Sequence, residues 1–510
     1  MLSLIWRFCC ISIILPLIVL FSGGRRDCII NKNDLLTTPN TRYIVQSTLD
    51  LGGRIITVPE GCTLVFKRDG KILNGTIVGN QTKVLSLKKQ CLGVDLKGSW
   101  FLSKIDDTIF DFDILSDNQI LDNITALQSD RVKNTIVLNR PVYKVFLTKE
   151  HRKALSLASN TVLLCNSTIE VQGNDLPIYI VIGIDRKKDV AIKGGWIKGD
   201  VGNHRYIEGS TSEWGFGLSV FNSANVRIEG IHISKCTGDG IYIGGGIVSE
   251  LEDYSQASKN VYITDAICDD NRRQGISITY ADGVVLKNCT FSNTGKTEFT
   301  RPGCGLDIEP NAGQAVRDVK IKRCRFLHND RIMDVSVGGY KTEDAKCNVE
   351  KILFDNCTAT GTVSIRTGSL VMRGCTMKSL DIHLAKMPKD KVLIAKCDIQ
   401  GGQGVRIRTV GDVSDEDYIP LYRFNACTIG LDDKMTSLFS TVNHRGNEKA
   451  EFVVDDCSIV IPKGDGGVAI VPSKSKMPFS ISNCKIQSNG RFIELDNEVF
   501  SNCRIIDGRL

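Results

Sequence analysis

The chain contains few residues of several kinds, and each shortage argues against certain interiors, binding partners or metal sites. Aromatic residues make up 7% of its 510 residues, and 12 prolines stand against 47 glycines, which is typical of a thin apolar interior with tight corners. The 64 basic and 58 acidic residues nearly balance, so we expect no nucleic acid partner and no electrostatic docking to a membrane surface. Six scattered histidines and the lack of a Cys-x-x-Cys motif argue against a metal site.

Long apolar segments are also absent, with one exception near the N-terminus. Arg7 precedes an apolar run over residues 8–21, which is shorter than the ~20 residues of a membrane-spanning helix. Small residues at 22–24 follow, as at a signal-peptide cleavage site. We therefore predict that residues 1–24 are a signal peptide, that no stable membrane span remains after processing, and that the protein is secreted, periplasmic or at the cell surface. An uncleaved signal anchor is the alternative.

One short pattern recurs throughout residues 160–505: apolar, any, apolar, two polar residues, Cys or another small residue, any, apolar. Residues 284–291 read VVLKNCTF, and residues 319–326 read VKIKRCRF. Two apolar alternations separated by a polar pair predict two short strands joined by a corner. Copies that return at unequal intervals are typical of a solenoid whose loops vary. We therefore predict an all-β chain that folds as a right-handed parallel β-helix.

Two segments precede the regular repeats. Residues 41–115 alternate short strand patterns with Gly and Pro at the turns, which predicts a small N-terminal β region. Residues 122–128 predict a short helix that caps the open end of the solenoid, and residues 135–143 predict a strand. The repeats then continue without a linker, so we assign residues 116–510 to one β-helix.

The cysteines predict a buried column of thiols, which we call the thiol ladder. Nineteen cysteines in an exported protein also raise the question of disulfides. Eight occupy the same inward position in successive repeats: Cys289, Cys324, Cys357, Cys375, Cys397, Cys427, Cys457 and Cys484. Free cysteine packs as a small hydrophobe, and we expect these residues to stack at the strand spacing of ~4.8 Å. Pairing between neighbours is the alternative, because that spacing does not forbid a disulfide.

Several repeats contain a third strand that begins at glycine and carries acidic residues. Aligning residues 217–220, 240–243, 275–278, 305–308 and 333–335 stacks Ser219, Tyr242, Ser277, Asp307 and Asp334 as outward-facing neighbours. Glu309 shares the face of Asp307, ~6.6 Å further along the strand. Asp239 begins the corresponding strand two coils earlier. We predict that Asp307, Glu309 and Asp239 form a catalytic carboxylate group on an exposed ridge.

Paired carboxylates are what glycoside hydrolysis requires. One protonates the leaving oxygen while the other activates water or attacks carbon, and their mutual repulsion raises one pKa. The residues expected to bind the sugar are Arg273, Gln274, Arg272, Tyr242, Trp214 and His204. An arginine can hold a uronate carboxylate, and the aromatic rings can stack on sugars. Structural roles are the alternative: a turn for Asp239, a solvated corner for Arg272 and Arg273, and packing for His204 and Trp214.

Three segments resemble a known superfamily: residues 238–243 (GDGIYI), 271–278 (NRRQGISI) and 305–311 (GLDIEPN). They are similar to the core of exported or phage-associated right-handed β-helix proteins of the pectate-lyase-like superfamily. That resemblance implies polygalacturonase-type hydrolysis, polysaccharide lysis, alginate epimerisation or tailspike depolymerisation. Only Gly238-Asp239 matches the polygalacturonase pattern, and the histidine-bearing tetrad of alginate epimerases is not recognisable. The prediction of reaction type therefore rests on the carboxylates and not on a family signature.

These observations predict an exported glycoside hydrolase that degrades a polysaccharide and needs no cofactor. The arginine beside the acids would suit an acidic substrate. A polysaccharide lyase or epimerase acting on uronates is one alternative, in which Arg273 or Tyr242 abstracts a proton and the acids hold Ca²⁺. A non-catalytic carbohydrate-binding surface protein is the other, because one fold supports all three functions.

Overall fold

The structure is a computed structural model. It describes residues 27–507 apart from 31–35, 68, 86, 246–255, 312, 330–332, 339–348, 367–368, 385–390, 403, 410–420, 433–436, 443–450, 464–467, 470–478, 490–492 and 495–499. The predicted signal peptide lies outside the described residues. None of the helices within them has the length and apolarity needed to cross a membrane.

The described part of the chain begins with a parallel sheet of seven strands. They are Asp27–Ile29, Arg42–Val45, Thr48–Asp50, Ile55–Thr57, Thr63–Phe66, Lys71–Leu85 and Leu92–Phe101. The next strand, Lys104–Asp106, already pairs with Asn134–Leu138 of the following sheet. The predicted N-terminal β region thus corresponds to this sheet and its connection to the solenoid, while its exact boundaries stay a prediction.

One α-helix, Asp117–Leu127, covers the start of the solenoid in the described part of the chain. Its first turn is held by a capping box, in which Ser116 and Gln119 bond each other's backbone N–H groups. Apolar residues at helical spacing, Ile120, Ile124 and Leu127, are buried. The helix lies against Leu92–Phe101 of the N-terminal sheet and against Val142–Val145 and Lys153–Ser156 at the start of the solenoid, as a terminal cap does.

The repeated pattern forms two strands in most coils, or one continuous strand in Thr161–Val171 and in Lys188–Lys198, and these belong to a parallel sheet with 27 described strands. Beside Lys104–Asp106, one set comprises Asn134–Leu138, Thr161–Val171, Lys188–Lys198, Ala224–Glu229, Ser258–Thr264, Ala281–Lys287, Val316–Lys322, Val349–Asp355, Leu370–Arg373, Lys391–Ala395, Leu421–Asn425, Glu451–Asp455, Phe479–Ser482 and Phe500–Ser501. The other set comprises Val142–Val145, His232–Ser234, Ile267–Asp269, Thr290–Ser292, Arg325–Leu327, Thr358–Ala359, Thr376–Met377, Asp398–Ile399, Thr428–Gly430, Ser458–Ile461, Lys485–Ser488 and Arg504–Asp507. The predicted strand pairs are confirmed.

The corner between the two strands depends on a left-handed residue. Asn288, Asn356 and Asn483, each directly before a ladder cysteine, have φ values of 57°, 55° and 53°. Asn tolerates this conformation better than most residues, and Gly374 supplies it in another coil with a φ of 61°. The polar pair of the pattern therefore turns the chain because one of its members leaves the β region.

The cysteine that follows each corner points into the solenoid. All eight predicted ladder cysteines are buried and unpaired. Neighbouring coils are in contact through them: the backbone N–H of Cys357 lies 3.5 Å from Sγ of Cys375, and that of Cys427 lies 3.3 Å from Sγ of Cys457. The predicted buried position is confirmed, and the cysteines share the interior with aliphatic side chains and with stacked aromatic rings such as Phe291 and Phe326.

The third strand of each coil belongs to a second parallel sheet, with 11 described strands. They are Lys153–Ser156, Ile178–Asp185, Trp214–Phe221, Asp239–Gly244, Gln274–Ile278, Cys304–Ile308, Val335–Val337, Thr362–Ile365, Ser379–Leu384, Val405–Thr409 and Phe439–Val442. Two short strands, Val468–Ala469 and Ile493–Glu494, pair separately, and 3₁₀ turns occur at Asp107–Ile109 and Val201–Asn203. The 11-stranded sheet carries the candidate site.

Candidate functional site

Backbone register places a continuous row of polar residues on the 11-stranded sheet. Successive strands align Ser219, Tyr242, Ser277, Asp307, Ser336, Ser364, Asp381 and Arg406. The predicted neighbour of Asp307 is wrong, because Ser336 and not Asp334 lies beside it. Asp334 instead accepts hydrogen bonds from Gly361 N at 2.5 Å and from Thr360 Oγ1 at 3.2 Å, as part of a corner.

Glycine lets two outward-facing residues stand three positions apart in these strands. Asp239 accepts a hydrogen bond from Ser277 Oγ at 2.7 Å, although Ser277 aligns with Tyr242, three residues further on. A Cβ at Gly275 would lie 2.6 Å from the carbonyl oxygen of Gly305, so no side chain fits there. The alternation of side chains between the two faces of the sheet is therefore interrupted at the glycine. As a result, the side chain of the residue before the glycine lies beside the polar row.

The carboxylate cluster consists of Asp239, Arg273, Gln274, Asp307 and Glu309. Nη1 of Arg273 lies 3.2 Å from both carboxylate oxygens of Asp239 and donates to Oε1 of Gln274 at 3.1 Å. Nε2 of Gln274 donates to Oδ2 of Asp307 at 2.5 Å. Glu213, from the preceding loop, lies 3.3 Å from Nε of Arg273. The structure brings these five predicted residues together.

The expected exposed ridge is wrong, because the central acids are buried. Asp239 is 0% exposed and Asp307 is 3% exposed, while the Arg273 side chain is 18% exposed to solvent. Glu309 is half-buried. Between the acids, Arg273 bonds to Asp239 and Gln274 bonds to Asp307.

Burial changes the acidity of the two aspartates. Removal from water, together with the nearby charge of Glu309, raises the pKa of Asp307 to about 7, against the opposing effects of Arg273, Ser336 and Arg366. Burial also raises the pKa of Asp239, although Arg273 and Ser277 oppose it. Burial alone would lower the pKa of Arg273, but the surrounding carboxylates raise it above its usual value. The cluster thus combines a fixed cation with an acid that titrates near neutrality.

Two predicted sugar-binding residues lie in a separate aromatic group. The Tyr242 ring centroid is 4.9 Å from that of Phe216 and 5.5 Å from that of Phe221, and Trp214 packs against this group. The Tyr242 hydroxyl is buried and lies 2.8 Å from Oγ1 of Thr279. Burial raises the pKa of this phenol above its usual value, so Tyr242 is poorly suited to abstract a proton.

Arg272 and His204 hold the loop before the Trp214 strand. Nη1 of Arg272 donates to the carbonyl of Thr211 at 2.9 Å, and its guanidinium lies 4.4 Å from the Tyr206 ring centroid. The His204 side chain is fully buried, with Nδ1 2.9 Å from Oδ2 of Asp200. Both side chains bond within this loop and its surroundings, which is the bonding expected of structural residues.

A second group of charged residues on the same sheet escaped the sequence analysis. The basic cluster consists of Arg366, Asp381, His383 and Arg406. Arg406 pairs with both oxygens of Asp381, from Nε at 3.2 Å and from Nη2 at 2.6 Å. The sequence contains a signal for this cluster, because residues 306–309 read LDIE and residues 380–383 read LDIH. Asp381 repeats the position of Asp307 in this pattern. His383 repeats the position of Glu309.

No group of three or more His, Cys, Asp or Glu side chains in the described part of the chain is arranged to hold a metal ion. The calcium alternative and the expectation of no cofactor both stay predictions.

Comparison with known proteins agrees with this architecture. Residues 189–313 match the model of the right handed beta helix region. The fold is a right-handed parallel β-helix. The chain is 34% identical over 227 residues to the uncharacterized protein YclG of Bacillus subtilis, covering 44% of this chain and 36% of that one. It is 29% identical over 189 residues to the prophage-derived uncharacterized protein YorA of the same organism, covering 35% and 32%.

The chain thus spans about a third of the length of these curated relatives. Among solved structures, the β-helix is similar to a tailspike protein of Escherichia coli bacteriophage HK620 in complex with a pentasaccharide. The TM-score is 0.47, the identity 11%, and the match covers 80% of this chain and 79% of that one. That similarity concerns the fold alone, so activity must be inferred from the site.

Proposed function

We propose that this β-helix is a polysaccharide-degrading glycoside hydrolase with Asp307 as its general acid. The observation that carries the proposal is the environment of this carboxyl, which is buried and has a pKa of about 7. An acid with a pKa near the working pH is protonated when substrate binds and can still release its proton to a leaving oxygen. A carboxyl on the solvated surface would already be ionised.

Glu309 supplies the second carboxylate. It lies two residues beyond Asp307, on the same side of the strand, and is half-buried, so water or a sugar carbon can reach it. In glycoside hydrolysis the second carboxylate activates water or attacks the sugar, according to the distance between the pair. Its negative charge also helps to keep the proton on Asp307.

Arg273 and Gln274 orient the acids. Gln274 accepts from Arg273 and donates to Asp307, which leaves the Asp307 carboxyl little freedom to rotate. Asp239 holds Arg273 in place and serves as a third carboxylate of the site. The partly exposed Arg273 guanidinium is the group of this cluster best placed to contact a sugar.

The chemistry of Arg273 favours hydrolysis over lysis. A lyase that used Arg273 as its base would need a neutral guanidine, but the surrounding carboxylates raise the pKa of this arginine and keep it charged. We retain the export prediction within this proposal, since it is supported by the sequence of residues 1–24. An exported enzyme would meet polysaccharides outside the cell.

Incubation of the protein with a glycan panel tests the proposal. Hydrolysis yields new reducing ends, whereas lysis also yields unsaturated uronates that absorb ultraviolet light. On a cleaved glycan, Asp307→Asn should lower kcat by at least ~10²-fold, the usual scale for loss of an acid or base. Asp318→Asn is the matched control, because Asp318 lies on the other sheet beside Lys320. Equal activity of the two variants would contradict the role of Asp307, and unsaturated products would contradict hydrolysis.

A further inference from the structure

The polar row changes the sign of its charge along the solenoid. The carboxylate cluster, with Glu213 beside it, contains four acidic side chains and one arginine. Three coils further on, the basic cluster contains two arginines, one histidine and a single acid. Backbone register puts Asp307 and Asp381 in the same row with Ser336 and Ser364 between them. At ~4.8 Å per strand, the two acids are about 14 Å apart.

Ion pairs within the basic cluster keep its cations in place. Besides the two contacts from Arg406, Oδ2 of Asp381 lies 3.5 Å from Nε2 of His383. Burial by itself would raise the pKa of Asp381, but the hydrogen bonds of His383 and Arg406 hold it well below its usual value. Asp381 therefore stays ionised and anchors an arginine whose side chain is still 24% exposed.

Arg366 adds a second guanidinium next to this anchor. It directly follows the strand Thr362–Ile365, whose last residue is aligned with Ile382, so Arg366 lies one coil before His383. Its charge reaches both clusters, since it also lowers the pKa of Asp307. The basic cluster carries more positive than negative charge on a largely buried surface, where an anion is bound more strongly than in water.

One of the two serines between Asp307 and Asp381 has an unused polar group. Ser364 is 1% exposed, and its hydroxyl has no hydrogen-bond partner among the residues that the structure describes. Buried hydroxyls are nearly always bonded, because an unpaired one has lost its water without compensation. A ligand that offers hydroxyl groups along the row would supply the missing partner.

We propose that the basic cluster is a binding site for the carboxylate of an acidic polysaccharide, three coils from the carboxylate cluster. The ligand is a uronate-containing glycan whose carboxylate meets Arg366 and Arg406, while its hydroxyl groups bond along the row at Ser364. Guanidinium groups bind planar carboxylates through two parallel hydrogen bonds, which a neutral sugar cannot form. This inference rests on the proposed function for the identity of the ligand as a polysaccharide, and it specifies the substrate class.

Binding should be measured without turnover, in the full-length Asp307→Asn protein. The probes are oligogalacturonate, oligomannuronate and hyaluronan oligosaccharides, each compared with its carboxyl-reduced neutral form by calorimetry. We expect at least one acidic oligosaccharide to bind at least about tenfold more tightly than its neutral form. Adding Arg406→Gln should remove that preference, whereas adding Arg325→Gln, an exposed arginine on the other sheet, should leave it unchanged.

A double variant distinguishes a loss of ligand binding from a loss of folding. Arg406→Gln leaves the buried Asp381 without its main partner. Combining Asp381→Asn with Arg406→Gln removes both charges, so that no unpaired acid is left buried. The double variant should unfold like the parent and still lose the preference for acidic glycans. The inference is overturned if no acidic oligosaccharide is preferred, or if the folded double variant retains the preference.

The two proposals can fail separately. If no glycan is cleaved but an acidic oligosaccharide binds through Arg406, the hydrolase proposal fails and the binding site stands. If a neutral glycan is cleaved by way of Asp307 and no acidic one binds, the hydrolase proposal stands and the binding site fails.

Discussion

Gln274 and Asp307 are joined by a hydrogen bond of 2.5 Å from the amide Nε2 to the carboxyl Oδ2. The same glutamine accepts a hydrogen bond from Arg273, which in turn pairs with Asp239. Two buried carboxyls that lie two coils apart are thus linked through an amide and a guanidinium of the coil between them. Because this chain runs across three strands, substitutions within it should affect stability and acidity together.

The stability of the fold should depend on pH through Asp307. Its pKa is about 7 in the folded protein, against 3.8 when exposed, so the folded state binds the proton more tightly. The stabilisation is complete below about pH 4 and is lost as the pH rises through 7, at roughly 1.4 kcal/mol per unit of pKa difference. Denaturant unfolding at pH 4.5 and 7.5 should show a larger loss in the parent than in Asp307→Asn. An identical loss in both proteins would contradict this assignment.

Activity should fall above about pH 7, as the general acid loses its proton. The positive charge of Arg366 lowers the pKa of Asp307, so Arg366→Gln should move the alkaline limit of kcat to higher pH. Arg325→Gln, on the other sheet, should leave that limit in place. A limit that is unchanged in Arg366→Gln would mean that another group sets it.

Loss of Arg273 should destabilise the protein more than loss of any surface arginine. Arg273→Gln leaves Asp239 buried without its cation, and breaking a buried pair in this way costs about 3–5 kcal/mol. Arg325→Gln should change the free energy of unfolding by less than about 0.5 kcal/mol. The double variant Asp239→Asn with Arg273→Gln should recover much of the loss. If it is no more stable than Arg273→Gln, the ion pair is not the cause.

The thiol ladder should tolerate a small apolar residue and reject a charge. Cys397→Ala should cost on the order of 1 kcal/mol, because a small buried group is lost from a packed interior. Cys397→Asp should prevent folding, since its carboxylate would be buried without a partner. Urea unfolding and expression yield measure these effects. Thiol titration that finds most of the ladder oxidised in the native protein would contradict the thiol assignment.

Gly275 should be intolerant of any side chain. In Gly275→Ala the new Cβ would meet the Gly305 carbonyl and the Phe291 side chain, so the strand must shift at a cost of about 1–3 kcal/mol. Because the shift moves Gln274, turnover should fall as well. Gly202→Ala is the matched control, with no atom within 4 Å of its new Cβ and no left-handed backbone. Equal stability of the two variants would show that the interruption at Gly275 is not required.

Much of the candidate site was predictable because it follows the strand repeat. The stack of Ser219, Tyr242, Ser277 and Asp307 was predicted correctly from the glycine that begins each strand. The next member was missed, since the coil after Asp307 starts without that glycine, and a shift of two residues exchanges Asp334 for Ser336. Register between coils depends on the lengths of the intervening loops, which the repeat does not encode.

The sequence by itself determined the solenoid, because the alternation of apolar residues, the left-handed corner before each cysteine and the glycine of the third strand are all local properties. Tertiary structure decided what the acids can do. The sequence pattern predicts that Asp307 and Asp239 are exposed, whereas in the folded solenoid both are buried and bond to Gln274 and Arg273 of the coil between them. Acidity depends on the dielectric and the charges around a group. For Asp307 these include the neighbouring Glu309, but also Arg273 and Arg366, which are more than thirty positions away in the chain.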